Sequence, residues 1–272
     1  MTTVMENMHA FNNHLPVKVR FGEGIAETLP EVIKEVESKK PFLMVDEGIE
    51  KFNPAAAALI NKVKAACDVT IFEKPAGEPT IQMVEDAIAA LKAAGCDSVI
   101  ALGGGSVIDT AKAARLCAQL NCTFREFQSK APVYPNPTIP LIALPTSAGT
   151  GSEVSGGSVI SDPEAGRKAG IANGNLRAQV ALVDPVLTYS MPPSMTANTG
   201  IDALAQAIAG IIAKCSTPIG DAIGYEAVRM MTPALVAAFK NGEDKAARAN
   251  MAAGSMMAGL TMNISDCTAR HS

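Results

Sequence analysis

The chain has 272 residues, of which 48% are hydrophobic and 18% charged, so it can bury a substantial core and is not a disordered segment. Its net charge is −4 at pH 7, and the Lys and Arg residues are scattered rather than clustered, which argues against a nucleic-acid partner. No uninterrupted apolar stretch reaches the roughly 18 residues of a membrane-spanning helix, and the N-terminus lacks a signal-peptide pattern. The sequence therefore excludes a membrane protein and predicts a soluble one.

The six cysteines form no CxxC pair and no spacing typical of a disulfide framework. In a chain of this size, such cysteines are usually buried or unreactive thiols of a reducing compartment. We therefore expect a cytoplasmic protein without disulfides.

The first two thirds of the chain alternate short β-branched runs with amphipathic runs, the pattern of an α/β protein with a parallel sheet. The apolar runs predict buried strands within residues 41–48, 69–73, 97–105, 138–153 and 179–187. The runs with helical spacing predict helices within residues 52–67, 80–95 and 106–120.

The texture changes near residues 185–195, where the β-branched runs stop. The remaining sequence is rich in Ala, Met, Gly and Ile at helical spacing. We therefore predict two domains, an α/β domain over residues 1–186 and an all-helical domain over residues 187–272. The chain stops after a polar run without a closing helix, so we expect the helical domain to be truncated.

A strand-to-helix turn of three glycines and Ser106 is the sharpest local feature (Gly103, Gly104, Gly105). Residues without Cβ let the backbone approach a ligand closely, and the following helix directs free N–H groups at it, as a phosphate site requires. Ser106 and Asp109 also have the spacing of a capping box, so a purely structural turn remains open. The turn is neither the common dinucleotide fingerprint nor a P-loop.

A second small, hydroxyl-rich loop follows another predicted strand and contains Thr146, Ser147 and Ser152. Alone it fits a solvated loop as well as a ligand site. Two such loops at the carboxyl ends of strands in one sheet favour a binding site, because ligands of open α/β sheets bind at that edge. Asp46 also ends a strand, where its carboxylate either accepts from ribose hydroxyls or serves as a turn residue.

In the helical part, Asp202 and Gln206 are four residues apart and share one helical face. His271 is the one histidine beyond residue 14. Spacing alone does not decide between a metal site and a structural role for these residues.

Four motifs follow one another along the chain: GGGSVIDTAK (103–112), PTSAGTGSEVS (145–155), VDPVLTYSMPPSMTANTGIDAL (183–204) and MAGLTMNISDCTARHS (257–272). Together they resemble the iron-containing (group III) alcohol dehydrogenase family. The resemblance runs from about residue 15 to the last residue. It implies a dinucleotide-binding α/β domain followed by an all-helical domain, with a divalent metal in the cleft between them.

The resemblance implies NAD as cofactor and matches particular residues to its binding. Gly104, Gly105 and Ser106 match the turn that holds the pyrophosphate, and Asp109 belongs to the same motif. The other matched positions are Thr146, Ser147 and Ser152 in the second loop, Lys168 along the cofactor, and Asp46, the acid associated with NAD over NADP. The chain departs from the family at Glu78, where an asparagine is common.

The metal ligands implied by the resemblance are altered in this chain. Asp202 matches the first ligand and His271 the third, while Gln206 stands where the second, a histidine, is usual. Ala209 replaces the acid that ends that motif, and a fourth ligand would lie beyond residue 272. We expect Asp202 and His271 to be the catalytic residues, as ligands of Fe(II) or alternatively Zn(II), with Gln206 as a weaker ligand.

The resemblance implies an NAD-dependent alcohol dehydrogenase or aldehyde reductase acting on a small primary alcohol or diol, assembled as a homodimer or larger homo-oligomer. One alternative is a nucleotide-binding protein of the same fold that has lost its metal and catalysis, which Gln206 favours. The other is a lyase or cyclase on the related dehydroquinate synthase-like scaffold, for which the helical half has few of the required basic and metal-binding residues.

Overall fold

A six-stranded parallel sheet forms the centre of the N-terminal part of the protein, in a computed structural model that describes residues 11, 13–129 and 133–265. Its strands are β1 (Lys18–Phe21), β2 (Pro41–Asp46), β3 (Thr70–Lys74), β4 (Ser98–Gly103), β5 (Leu141–Pro145) and, following the hairpin described below, β8 (Val180–Val183). The spatial order is β1-β8-β5-β4-β2-β3, and every neighbouring pair is parallel. This confirms the α/β class predicted from the alternating sequence pattern.

Helices connect these strands and cover both faces of the sheet. They are α1 (Leu29–Glu35), α2 (Ile49–Phe52), α3 (Pro54–Ala66), α4 (Ile81–Ala94), α5 (Gly105–Leu120) and α6 (Phe124–Ser129). Helix α4 illustrates how the sequence sets their ends. Thr80 accepts a hydrogen bond from the backbone N–H of Met83 at its start, and Gly95 closes it with φ +62°, a conformation that glycine adopts without strain.

Alternate residues of β2, β4 and β5 belong to two separate hydrophobic cores, because successive strand side chains point to opposite faces. Phe42 and Met44 pack with α4 and α5 on one face, whereas Leu43 and Val45 pack with α1 and α3 on the other. All four side chains are buried. Burial on both faces explains why this strand is a continuous apolar run rather than an alternating one.

A two-stranded antiparallel hairpin, β6 (Gly157–Asp162) and β7 (Arg167–Ala172), interrupts the α/β pattern between β5 and β8. It is not part of the main sheet, and β6 lies against α5. The sequence analysis did not predict it, because its short polar strands carry no long apolar run. Residues of the hairpin line the cleft described below.

Three long helices, α7 (Pro193–Ile211), α8 (Pro218–Lys240) and α9 (Lys245–Ser265), form the C-terminal part and pack against one another. Their contacts are close because small residues lie between them: a Cβ on Gly254 would come within 2.3 Å of Met231 Cγ, and one on Gly210 within 2.5 Å of Thr261 Cγ2. This confirms an all-helical part after the sheet. The division into domains at residues 186 and 187 stays a prediction.

Among the helices of the described residues, none is both long enough and apolar enough to cross a membrane.

Helix α9 lies close to the loop after β5 at Gly259, which faces the Gly151 backbone and the Val154 side chain. A Cβ on Gly259 would lie 2.7 Å from the Gly151 carbonyl oxygen and 2.8 Å from its Cα. One turn further, Asn263 donates to the Val154 carbonyl at 2.9 Å and accepts from the Gly156 N–H at 3.0 Å. The helical part is therefore fastened directly to the loop that follows β5.

We expect Gly259→Ala to lower the free energy of unfolding by about 1–3 kcal/mol, because the added methyl meets fixed backbone. Gly200→Ala is the matched control, since its methyl would meet only the side-chain ends of Leu235 and Met251 and no backbone of another segment. Urea unfolding of both variants measures the difference. Equal stabilities would contradict a rigid backbone contact at Gly259.

Candidate functional site

A cleft of about 590 Å³ lies at the carboxyl ends of β2 and β4. These two neighbours are the point at which the strand order reverses, because β2 continues to β3 on one side and β4 to β5 on the other. In open α/β sheets, ligands bind outside the carboxyl ends of the strands at such a reversal. The topology thus places the cleft where a ligand is expected.

The glycine turn forms the floor of the cleft. Helix α5 begins at Gly105 and its N-cap is Gly104, and no side chain of the described residues caps it, so the N–H groups of Gly105 and Ser106 remain available to a ligand. A Cβ on Gly105 would lie 2.6 Å from Thr150 Oγ1, so only glycine fits between this turn and the second loop. The capping-box interpretation of Ser106 and Asp109 is wrong, since the Asp109 carboxylate bonds elsewhere.

Asp46 lines the cleft next to the glycine turn. It accepts a hydrogen bond from the Gly104 N–H, and its Oδ1 lies 3.7 Å from Lys74 Nζ. Burial raises the pKa of Asp46, and the Lys74 charge opposes that rise. Lys74 is itself buried and donates to the carbonyls of Pro75 and Gly77 at 2.6 and 3.0 Å. The same lysine therefore fixes both Asp46 and the loop after β3.

Asp109 links α5 to the loop and hairpin that follow β5. Its Oδ1 accepts from Ser152 Oγ at 2.5 Å, and its Oδ2 accepts from the Val159 N–H at 2.9 Å. Burial raises the pKa of Asp109, and the charge of Lys112, 3.8 Å away, opposes this. Asp109 reaches the cleft, whereas Ser152 lies behind it in this network.

Lys112 is completely buried at the centre of the same network. Its ammonium donates to Ser152 Oγ at 2.8 Å, Ser155 Oγ at 3.2 Å and the Gly157 carbonyl at 2.7 Å, which uses all three of its protons. Burial lowers the pKa of Lys112 to about 8 and raises that of the neighbouring buried Glu153 to about 7. These groups hold the second loop and the hairpin against α5.

The second loop and the helical part supply the other walls of the cleft. Thr146, Ser147 and Thr150 line it from the loop after β5, and Met195 and Thr199 line it from α7. The cleft therefore lies between the sheet edge and the first helix of the helical part. Hydroxyl groups on one wall and apolar side chains on the other suit a ligand with both a polar and an apolar portion.

Lys168 and Glu78 face each other at the rim of the cleft. Lys168 Nζ on β7 donates to Glu78 Oε1 at 3.0 Å, and both side chains are about two-thirds exposed, at 62% and 66%. The hydrogen bond from Lys168 lowers the pKa of Glu78. The pair joins the loop after β3 to the hairpin.

Asp202 and Gln206 contact each other on α7, as their spacing predicts. Gln206 Nε2 donates to Asp202 Oδ2 at 2.8 Å. Gln206 is buried, and its Oε1 has no hydrogen-bond partner among the described residues. His271 lies outside the described residues, and within those residues no three His, Cys, Asp or Glu side chains are grouped as metal ligands.

Sequence reasoning missed several residues of this region. Three of them line the cleft: Thr150, Met195 and Thr199. Apart from their place in a recognised motif, nothing in the sequence predicts this position. Lys112 and Glu153 lie in the two motifs, and no local pattern in the sequence indicates that these charged side chains are buried. All five cysteines that the structure describes are free.

Two family models match the chain. The model of the iron-containing alcohol dehydrogenase matches residues 16–185, and that of the Fe-containing alcohol dehydrogenase family, C-terminal, matches residues 196–272. Together they include the glycine turn, the second loop and Asp202.

Individual proteins are similar over most of this chain. The probable alcohol dehydrogenase EutG of Salmonella typhimurium is 40% identical over 82% of this chain and 56% of its own length. The NAD-dependent methanol dehydrogenase of Bacillus methanolicus is 33% identical over 93% of this chain and 66% of its own length. The crystal structure of sulfoacetaldehyde reductase from Bifidobacterium kashiwanohense in complex with NAD⁺ has a TM-score of 0.90 and 32% identity, over 97% of this chain and 70% of that one. The chain thus spans 56% and 66% of the length of the two curated relatives.

The buried Glu153 predicts a specific pH dependence of stability. Its pKa rises from 4.5 to about 7 in the folded state, so between these values the folded protein holds a proton that the unfolded chain has released. The free energy of unfolding should therefore fall as pH rises from about 4.5 to 7, by about 3 kcal/mol from this group.

Glu153→Gln, which cannot ionise, should remove this part of the decline. Urea unfolding at pH 5 and pH 7.5 measures it, with Glu31→Gln at an exposed position of α1 as the matched control. If wild type and Glu153→Gln lose equal stability between the two pH values, Glu153 is not protonated in the folded protein.

Proposed function

Because the chain belongs to the iron-containing alcohol dehydrogenase family, we propose that it binds NAD in this cleft and acts as an NAD-dependent alcohol dehydrogenase or aldehyde reductase. The reaction is hydride transfer between a small primary alcohol or diol and the nicotinamide. The observation that carries the proposal is the uncapped N-terminus of α5 behind Gly104 and Gly105, at the reversal of the strand order.

The residues of the cleft fit a dinucleotide. The free N–H groups at the start of α5 suit the pyrophosphate, since a helix N-terminus and its dipole favour an anion. Asp46 suits ribose hydroxyls as a hydrogen-bond acceptor and disfavours a 2′-phosphate, which supports NAD over NADP. Thr146 and Ser147 provide further donors, and Ser106 lies in the same turn.

Ser152 and Asp109 support the cofactor site in a different way from the residues of the turn. Ser152 donates to Asp109 and accepts from Lys112, so its hydroxyl is already committed inside the protein. We assign it the role of holding the second loop in place. Asp109, which reaches the cleft, also orients the N–H of Val159 on the hairpin.

The Asp202–Gln206 pair fits part of a metal site. Within the part of the chain that the structure describes, no group donates a hydrogen bond to the buried Oε1 of Gln206, so this oxygen is available as a metal ligand beside the Asp202 carboxylate. A neutral carboxamide oxygen binds Fe(II) or Zn(II) more weakly than an imidazole does. We propose Asp202, Gln206 and His271 as the metal ligands of this chain.

Fe(II) or Zn(II) held by Asp202, Gln206 and His271 would supply a Lewis acid to lower the pKa of the alcohol or to polarise the aldehyde. The protein's own contribution is to bring the cofactor and the substrate together between the sheet edge and α7. Met195 and Thr199 of α7 form the wall on that side. The apolar side chain of Met195 is consistent with a small alcohol.

The two family models argue against a lyase or cyclase, because both describe alcohol dehydrogenases. Cytoplasmic localisation and assembly into a homodimer or larger homo-oligomer stay predictions. The free cysteines of the described residues support the first, since thiols persist in a reducing compartment.

Gly105→Ala should weaken NAD binding by about tenfold or more, because its methyl would displace Thr150 and the second loop from the turn. The dissociation constant can be measured by isothermal titration calorimetry. Gly157→Ala, whose methyl meets no atom within 4 Å, is the matched control and should bind NAD as wild type does. Unchanged binding by Gly105→Ala would move the pyrophosphate site away from this turn.

Asp202→Ala should abolish NAD-linked alcohol oxidation while the dissociation constant for NAD stays unchanged. Asp68→Ala, at an exposed position, is the control for the loss of a carboxylate.

Elemental analysis of anaerobically purified protein should show less iron or zinc in Asp202→Ala and more in Gln206→His. An active Asp202→Ala variant would contradict its role as a ligand, and an inactive, metal-free wild type that binds NAD would favour the binding-only alternative.

A further inference from the structure

The Glu78–Lys168 pair crosses the rim of the cleft and uses both carboxylate oxygens. Oε1 accepts from Lys168 Nζ at 3.0 Å, and Oε2 accepts from Ser161 Oγ at 3.2 Å. Lys168 and Ser161 lie on the two strands of the hairpin, while Glu78 follows β3. One side chain therefore connects the loop after β3 to both strands of the hairpin.

The hairpin does not depend on this carboxylate for its position. The Ser161 N–H donates to the Pro79 carbonyl at 2.7 Å, and Thr80 and Ser161 form an isolated β-bridge. On its other side, the Ser158 hydroxyl and the Val159 N–H bond to Asp109 of α5. Removing the charge of Glu78 should therefore leave the backbone of the hairpin in place.

Glu78 compensates the positive charge that the cleft offers to an anionic ligand. Among the described residues that line the cleft, Lys168 is the one with a positive charge, facing Asp46, Glu47, Glu78 and Asp109. The nearby Lys74 and Lys112 are buried and form ion pairs with Asp46 and Asp109. Their ammonium groups also donate hydrogen bonds to acceptors inside the protein. Lys168 is thus the cation most available to an anionic ligand, and Glu78 compensates it.

We propose that Glu78 determines how tightly the cleft holds a dinucleotide, because its carboxylate competes with the pyrophosphate of the ligand for Lys168. This inference rests on the proposed function, since it assumes that a dinucleotide binds here. The carboxylate is ionised at neutral pH, and the pair is exposed enough to be broken by a competing anion. Glu78 therefore keeps cofactor binding weaker than the same cleft with an uncharged side chain would make it.

Glu78→Gln preserves the size and the hydrogen-bonding capacity of the side chain and removes its charge. We expect this variant to bind NAD about two- to fivefold more tightly, the range given by the free energy of an exposed ion pair. Its binding should also weaken more steeply as salt is raised from 50 to 300 mM, about the range over which screening shortens from roughly 14 to 6 Å. A purely structural role would not change the salt dependence.

Two further variants separate the possible causes. In a Lys168→Met background, Glu78→Gln should no longer tighten binding, because the competition for Lys168 has been removed. Ser161→Ala removes the neutral hydrogen bond to Glu78 without changing any charge, and it should bind NAD as wild type does. Isothermal titration calorimetry with NAD on the 272-residue chain provides all of these constants.

Each outcome decides between the inference and its alternatives. Unchanged or weaker binding by Glu78→Gln would overturn the inference while leaving the proposed function intact, provided that wild type binds NAD. A gain that persists in the Lys168→Met background would overturn the competition between the two groups. Absence of NAD binding by wild type and all variants would overturn the proposed function, and this inference with it.

Discussion

The arrangement of the cleft depends on one buried ammonium group. Lys112 has no exposure to solvent, and it joins α5 to Ser152, Ser155 and Gly157, which lead from the second loop into the hairpin. A buried charge that loses its acceptors costs several kcal/mol, so the loop and α5 must keep their relative position. The same lysine stands beside Asp109, so it connects the turn at the start of α5 to the wall that faces it.

The second loop is held from the helical part as well. Gly151 and Gly259 meet through backbone atoms, and Asn263 bonds to Val154 and Gly156. A loop fastened on both sides cannot shift without moving either α5 or α9. The position of α7 relative to the sheet, and with it the wall formed by Met195 and Thr199, is consequently tied to the cofactor side of the cleft.

The charged groups near the cleft occur as lysine–carboxylate pairs of different exposure. Lys74 with Asp46 and Lys112 with Asp109 combine a buried lysine with a carboxylate that reaches the cleft, and they act as fixed structural connections. Lys168 with Glu78 is exposed on both sides and is held weakly. A ligand can therefore alter the third pair at little cost, whereas the first two define the site before a ligand arrives.

The sequence by itself determined the α/β class, the helical end and the glycine turn, because each follows from local patterns such as apolar periodicity and residues without Cβ. It also placed Asp46 at a strand end and Asp202 one turn before Gln206. Only the tertiary structure decided that Ser152 faces Asp109 rather than the cleft, that Glu78 meets Lys168 across the rim, and that a hairpin separates β5 from β8. These contacts join residues about 40 to 90 positions apart, and no local pattern in one sequence specifies which distant side chains will be buried together.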